Sequence, residues 1–167
     1  MLRVPEKPVI CNNSPLVSLW TLDQLSLLRD LYTEVLIPEE VQEEFLATGE
    51  IAREQALKNA PWIMTVKLTI PLDDSVYPNA IHSGEAAVFN LAKECGTRLV
   101  ILDDKEARGY AKRIGLPVTG TVGILLEAKR SGLISVIKPL LDVLLENGVR
   151  LTASLVNDAL QEAGELD

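Results

Sequence analysis

Short apolar runs alternate with stretches of helical periodicity along almost the whole chain, and this alternation confines the fold more than any other feature. Val9-Ile10-Cys11 reads as a short buried strand. Ser14 follows as an N-cap, with Pro15 at the first helical position and Leu16, Leu19 and Trp20 on one face. Residues 34–37 form a second strand, Pro38 opens a helix to about Ala47, and 51–59 make another. Residues 62–68 read as a strand or edge segment, and 71–82, with two prolines and Asp73-Asp74, as a loop. Ser83 caps a helix whose Val88, Leu91, Ala92 and Cys95 recur at i, i+3, i+4 and i+7, and Gly96 ends it. Residues 98–102 are the clearest strand, a nearly unbroken apolar run of the kind parallel sheets bury on both faces. A helix over 105–114, a strand over 116–119 and helices over 120–131, 137–147 and 152–163 complete the chain. The rhythm predicts one domain over 1–167, with a core at about 8–150 and a C-terminal helix at about 152–163. Its class is α/β, a three-layer α/β/α sandwich on a mostly parallel sheet with 98–102 central.

Hydrophobic residues make up 47% of the chain, enough for a sizeable core, but aromatics only 4%, so Leu, Val, Ile and Ala must do most of the packing. No apolar run approaches the roughly 20 residues of a membrane helix. The opening MLRVPEKPV lacks the apolar centre of a secretory leader, so the expected location is the cytoplasm. Cys11 and Cys95 fit no metal-ligand or redox spacing and read as small buried hydrophobes. The single histidine, His82, excludes a multi-histidine zinc site and reads as a loop residue.

The net charge of −8 argues against a nonspecific nucleic-acid coat. It leaves a nuclease open, because a carboxylate-rich site works with cations rather than lysines. Positive charge is uneven: Lys105, Arg108, Lys112, Arg113, Lys129 and Arg130 are six of the 16 basic residues and fall within 26 positions. Glu106 and Glu127 alone oppose them there, which leaves that stretch at +4. Its plainest interpretation is two solvated helix faces.

In parallel α/β folds ligands gather outside the carboxyl ends of the strands. Three strands here run into polar residues: the first into Asn12-Asn13, the clearest into Asp103-Asp104, and the last into Gly120-Thr121. On the helix after Pro38, Glu39, Glu40, Glu43 and Glu44 are all acidic, with Val41 and Phe45 on the core side. At about 100° per residue Glu44 lies nearest that side and is best placed to point into a pocket. The same arithmetic sets Glu85 beside the Val88/Ala92 stripe, one turn from its helix start. Each acid also has a structural role open to it: Glu85 at a helix dipole, one of Asp103 and Asp104 as an N-cap, and Glu44 as a solvated helix edge. Carboxylates converging on one sheet edge would repel one another unless a cation bound between them. Oxygen-only ligands select hard ions, so Mg²⁺ or Mn²⁺ fits better than zinc.

Five segments, C-N-N-S-P-L at 11–16, I-P-E-E-V-Q-E-E-F at 37–45, G-E-A-A-V at 84–88, L-D-D-K-E-A-R at 102–108 and G-L-P-V-T-G-T-V-G at 115–123, resemble the PIN-domain family in that family's order. The branch is that of small predicted nucleases related to VapC-type toxins, and the match covers about residues 8–150. The resemblance implies a Mg²⁺- or Mn²⁺-dependent endoribonuclease, often the toxin half of a toxin–antitoxin pair. RNA would then be its substrate and an antitoxin protein its partner. It puts metal ligation on Asn12, Glu44, Glu85 and Asp104, with Asp103 competing for the last place, and catalysis on Glu44, Glu85, Asp103 and Asp104. Asn12 departs from the aspartate of many relatives; an amide oxygen still ligates Mg²⁺ but adds no charge. Ser14, Thr119 and Thr121 would hydrogen-bond a phosphate oxygen, and Lys105 and Arg108 would belong to a basic rim for the RNA backbone. Relatives self-associate, for which Leu140, Leu144 and Leu155 are the candidate surface. The alternative function is a weakened or inactive PIN-like protein that binds nucleic acid or a protein partner. A phosphatase or phosphotransferase is disfavoured, because no strand ends in an Asp-x-Asp nucleophile motif and no Walker-type glycine loop is present.

Overall fold

The computed structural model describes residues 7–166; residues 1–6, most of the opening stretch considered for a leader, lie outside them. The apolar runs form five strands: β1 (Val9–Cys11), β2 (Val35–Pro38), β3 (Ile63–Val66), β4 (Leu99–Ile101) and β5 (Val118–Thr119). All neighbours pair in parallel in the order β3-β2-β1-β4-β5. The periodic segments form α1 (Asn13–Thr21), α2 (Ser26–Tyr32), α3 (Glu39–Leu46), α4 (Ile51–Lys58), α5 (Ser83–Cys95), α6 (Lys105–Arg113), α7 (Thr121–Arg130), α8 (Lys138–Glu146) and α9 (Ala153–Glu162). With helices flanking the sheet, this is the α/β/α sandwich that the alternation predicts.

The middle strand is β1, not the 98–102 segment. Val9, Ile10 and Cys11 are wholly buried, and Val100 and Ile101 of the interior strand β4 match them. The order of the strands explains the shift. The chain steps from β1 outward to β2 and β3, then returns across to β4 on the other side of β1, so the direction of winding reverses between β1 and β4. Such a switch point opens a crevice at the carboxyl edge. Asn12 N–H donates to Ile101 O at 3.0 Å and Leu102 N–H to Thr119 O at 2.9 Å. These bonds extend the ladder past the strand ends, so Asn12, Asp103 and Thr121 leave the sheet at one edge.

Several local expectations need correction. Helix α2 was not anticipated: after α1 the backbone of Asp23 turns left-handed (φ 54°), and Leu27 and Leu28 then bury themselves in a second short helix. Asn12, not Ser14, sits at the N-cap position of α1, and Ser14 is exposed within the first turn. Likewise His82 is the N-cap of α5 and Ser83 its first residue, and the 71–82 loop holds one 3₁₀ turn at Asp74–Val76. Cys11 is buried as expected, but Cys95 is exposed at the end of α5. Leu144 is fully buried and Leu140 half-buried, whereas Leu155 remains exposed. Helix α4 buries no residue; Arg53 holds it, lying 4.7 Å from the Trp20 ring and 5.1 Å from that of Phe45 while donating to Phe45 O. Among the described residues no helix is long and apolar enough to cross a membrane.

Candidate functional site

Asn12 leaves β1 in extended conformation and its side chain caps nothing. It is only 6% exposed, and its Oδ1 has no hydrogen-bond partner. Across the crevice, α5 starts with a glycine at its second position. A Cβ on Gly84 would lie 2.7 Å from Glu44 Oε2 and 3.6 Å from Asn12 Oδ1. Two oxygens, one from β1 and one from α3, therefore converge on the bare backbone of Gly84, and the absence of a side chain there is what admits them. Glu44 is exposed overall while its carboxylate reaches this point.

Glu85, next on α5, is 5% exposed. It occupies the third helical position, where the backbone N–H of His82 favours its charged form. Its Oε2 has no partner. Burial pushes its pKa above the usual carboxylate range, the charges of Asp104 and Glu44 add to the rise, and the His82 N–H and ring oppose it. Glu85 thus lies within electrostatic reach of both Asp104 and Glu44.

The two aspartates after β4 divide their work. Asp103 binds Thr121 twice, its Oδ1 accepting from Thr121 N at 2.7 Å and its Oδ2 from Thr121 Oγ1 at 2.6 Å. It fastens the start of α7 to the end of β4, and both its oxygens are engaged. Asp104 is the N-cap of α6, with Oδ2 accepting from Ala107 N at 2.9 Å. That leaves its other oxygen outside the cap.

The phosphate-binding candidates are scattered. Thr121 is buried against Asp103. Thr119 packs against Gly123 and lines a different groove of about 570 Å³, with Tyr32, Arg98 and Glu127. Arg108 turns inward, Nη1 donating to Leu102 O at 3.1 Å beside Gly120. Lys105 is exposed at the start of α6. Lys129 is paired with Glu165, and Arg130 with Glu127 and Glu162. The basic stretch therefore reduces on the surface to Lys105, Lys112 and Arg113 of α6.

The side-chain polar atoms that meet at Gly84, and the unpartnered atom of Glu85, are oxygens, which suit a hard cation. Among the described residues no three His, Cys, Asp or Glu side chains close on one point. The Asn12 amide lies outside that residue set, and Mg²⁺ keeps several of its own waters rather than taking an all-protein cage. The two buried unpartnered oxygens and the bare Gly84 cradle fit such an ion. Two positions escaped the sequence reading. Gly84 was visible only as part of a motif, and Glu40, one turn before Glu44, is half-buried with Oε2 shielded and unpartnered.

A family model described as a PIN domain (DUF3368) matches residues 8–165, from the strand before Asn12 to beyond the end of α9. No curated protein matches the chain.

Proposed function

The chain belongs to the PIN-domain family, with its nuclease-type fold, and from that premise we propose that it is a divalent-metal-dependent endoribonuclease acting at the carboxyl edge of its sheet. One observation carries this: Asn12 Oδ1 and Glu85 Oε2 are buried without a partner, Glu44 Oε2 meets Asn12 Oδ1 over Gly84, and the charges of Glu44 and Asp104 reach Glu85. Unpartnered buried acceptors are costly, and several at one edge suggest that their partner comes from outside the chain.

In this proposal Asn12, Glu44, Glu85 and Asp104 hold Mg²⁺ or Mn²⁺, which when bound supplies charge neutralisation at the phosphate and activation of water. Glu85, whose Oε2 has no partner within the chain, would take the proton from the attacking water. Asp103 keeps a positioning role, setting the spacing of β4 and α7 through Thr121. Lys105, Lys112 and Arg113 give α6 a positive face for the RNA backbone. The fuller form of the proposal is a toxin held in check by an antitoxin protein in the cytoplasm. Leu155, exposed on α9, supports self-association, with a dimer mass in light scattering as the expected result.

Cleavage of mixed RNA with Mn²⁺, against an EDTA control, tests the activity: metal-dependent cutting is expected, and equal cutting with EDTA contradicts it. A non-cutting, nucleic-acid- or partner-binding PIN protein is the second reading, favoured by the uncharged Asn12. A silent wild type that Asn12→Asp makes active would mark the chain as a lapsed nuclease.

A further inference from the structure

Away from the Gly84 cradle, α2 and α7 leave between them the groove of about 570 Å³ that Thr119 lines. Gly123, Glu127 and Ser131 recur every fourth residue along its α7 wall, which therefore runs about 12 Å at 1.5 Å of rise per residue. Asp30 and Tyr32 face that wall from the end of α2. Arg98, just ahead of β4, stands with Ser131 at the amino-edge end of the groove, and Thr119 and Gly123 lie at the other.

The charges in this groove are unequally answered. Asp30 is taken by Arg29 at 2.9 Å and Glu127 by Arg130. Among the described residues Arg98 has no carboxylate partner; two carbonyls fix its guanidinium instead, Nε donating to Lys7 O and Nη2 to Tyr32 O, each at 3.1 Å. A guanidinium has five N–H donors, so three stay open in a plane that the fold has already set. The described residues offer the Tyr32 hydroxyl no hydrogen bond. Burial first, then the charge of Glu127, push its pKa up to about 12, so it keeps its proton at neutral pH and can donate. The hydroxyls of Thr119 and Ser131 extend this donor-rich lining. The groove thus has an anion-holding end, an aromatic ring beside it and a carboxylate midway along α7. Its volume is that of a site for a small organic ligand, well beyond the needs of an inorganic ion.

We propose that the groove between α2 and α7 is a second ligand site that takes a free nucleoside monophosphate, its phosphate on the Arg98 fork, its base against Tyr32 and its sugar hydroxyls donating to Glu127. A guanidinium binds phosphate through paired, charge-assisted hydrogen bonds, and an aromatic ring offers a stacking surface to any base. The site stands on the groove alone and needs no metal beside Asn12. Calorimetric titration of the full chain in EDTA with AMP, GMP, CMP and UMP tests it, with inorganic phosphate and the matching nucleoside as the two halves of the ligand. At least one nucleotide should bind with a Kd below about 1 mM, and either half at least about tenfold more weakly. Arg98→Gln should weaken that nucleotide about tenfold and Tyr32→Phe about fivefold, while Glu85→Gln, at the carboxyl edge, leaves its affinity unchanged. No nucleotide bound below about 1 mM, equal binding of inorganic phosphate alone, full affinity in Arg98→Gln, or loss in Glu85→Gln would overturn the inference. A thermal midpoint equal to wild type shows that Arg98→Gln is folded. Should that variant not fold, unchanged affinity in Tyr32→Phe is the overturning result.

Discussion

The acids at the two ends of this molecule live under opposite terms. Where α7, α8 and α9 meet, Glu127, Glu162 and Glu165 are each answered by the chain itself. Glu165 accepts the N–H groups of Ile137 and Lys138 at 2.8 and 3.0 Å and the ammonium of Lys129 at 2.9 Å, while Glu127 and Glu162 share Arg130. At the carboxyl edge of β1 the chain supplies no donor to Asn12 Oδ1 or Glu85 Oε2, and sets Glu44 and Asp104 close enough to worsen the charge. The pKa shifts record the contrast. Burial raises Glu165, but its two backbone donors and Lys129 outweigh that and hold it below the usual range. Burial raises Glu85, and its neighbours push it further up. Acids that hold the fold are paired from within, whereas the unpaired set carries an electrostatic cost that a proton, or the cation of the proposed function, relieves.

The comparison breaks first on activity. Glu85→Gln and Asp104→Asn should each reduce RNA cleavage at least about a hundredfold, with Glu165→Gln unchanged. Both site variants preserve their helix starts, since glutamine keeps the side chain's shape at the third helical position and asparagine still caps. Equal losses at the two ends would mean that the distinction is false.

Stability should respond in the opposite sense. Glu165→Ala strips the donors of α8 and α7 of their acceptor and should cost about 2 kcal/mol, or about 4–8 °C in thermal midpoint for a chain of this size. Scanning calorimetry of the metal-free protein measures it, and no change would mean that the C-terminal network is ornamental.

Gly84→Ala probes the cradle itself. The new methyl would press on Glu44 Oε2 and displace that carboxylate from its place over Gly84. Mn²⁺ affinity by calorimetric titration should fall about tenfold with little loss of stability. Unaltered affinity would place the ion elsewhere.

The smallest effect is one of pH. The folded chain binds the Glu85 proton more tightly than the unfolded chain. The stability that this gives is present below the ordinary value of 4.5 and is lost as pH rises through the raised one. Glu165 runs the other way, contributing above its ordinary value and losing that as pH falls through the lowered one. Metal-free Glu85→Gln should therefore gain on the order of 1 kcal/mol at neutral pH, and nothing near pH about 4. A gain that is constant with pH would trace to packing instead.

How much of this the sequence disclosed depended on the range of the interaction. The sheet was legible because strands buried on both faces must be apolar throughout, as 9–11 and 99–101 are. Glu44 was legible because helical phase alone distinguishes it from Glu39 and Glu43. The different surroundings of Asp103 and Asp104 were not, since Thr121, 18 residues away, claims Asp103 with its N–H and hydroxyl. The basic rim was over-read for the same reason: the partners of Lys129 and Arg130 lie on and beyond α9, more than 30 residues on. Asn12 was visible as a departure from a family pattern, but its orphaned oxygen depends on how α3 and α5 meet over Gly84.

Anomalous scattering from crystals soaked in Mn²⁺ locates the ion itself and reports position rather than effect. Manganese is expected beside Gly84, within reach of Asn12 Oδ1 and the Glu44 carboxylate, with Glu85 and Asp104 facing it through its own waters. Manganese confined to the Glu127, Glu162 and Glu165 end, or none beside Asn12, would contradict this.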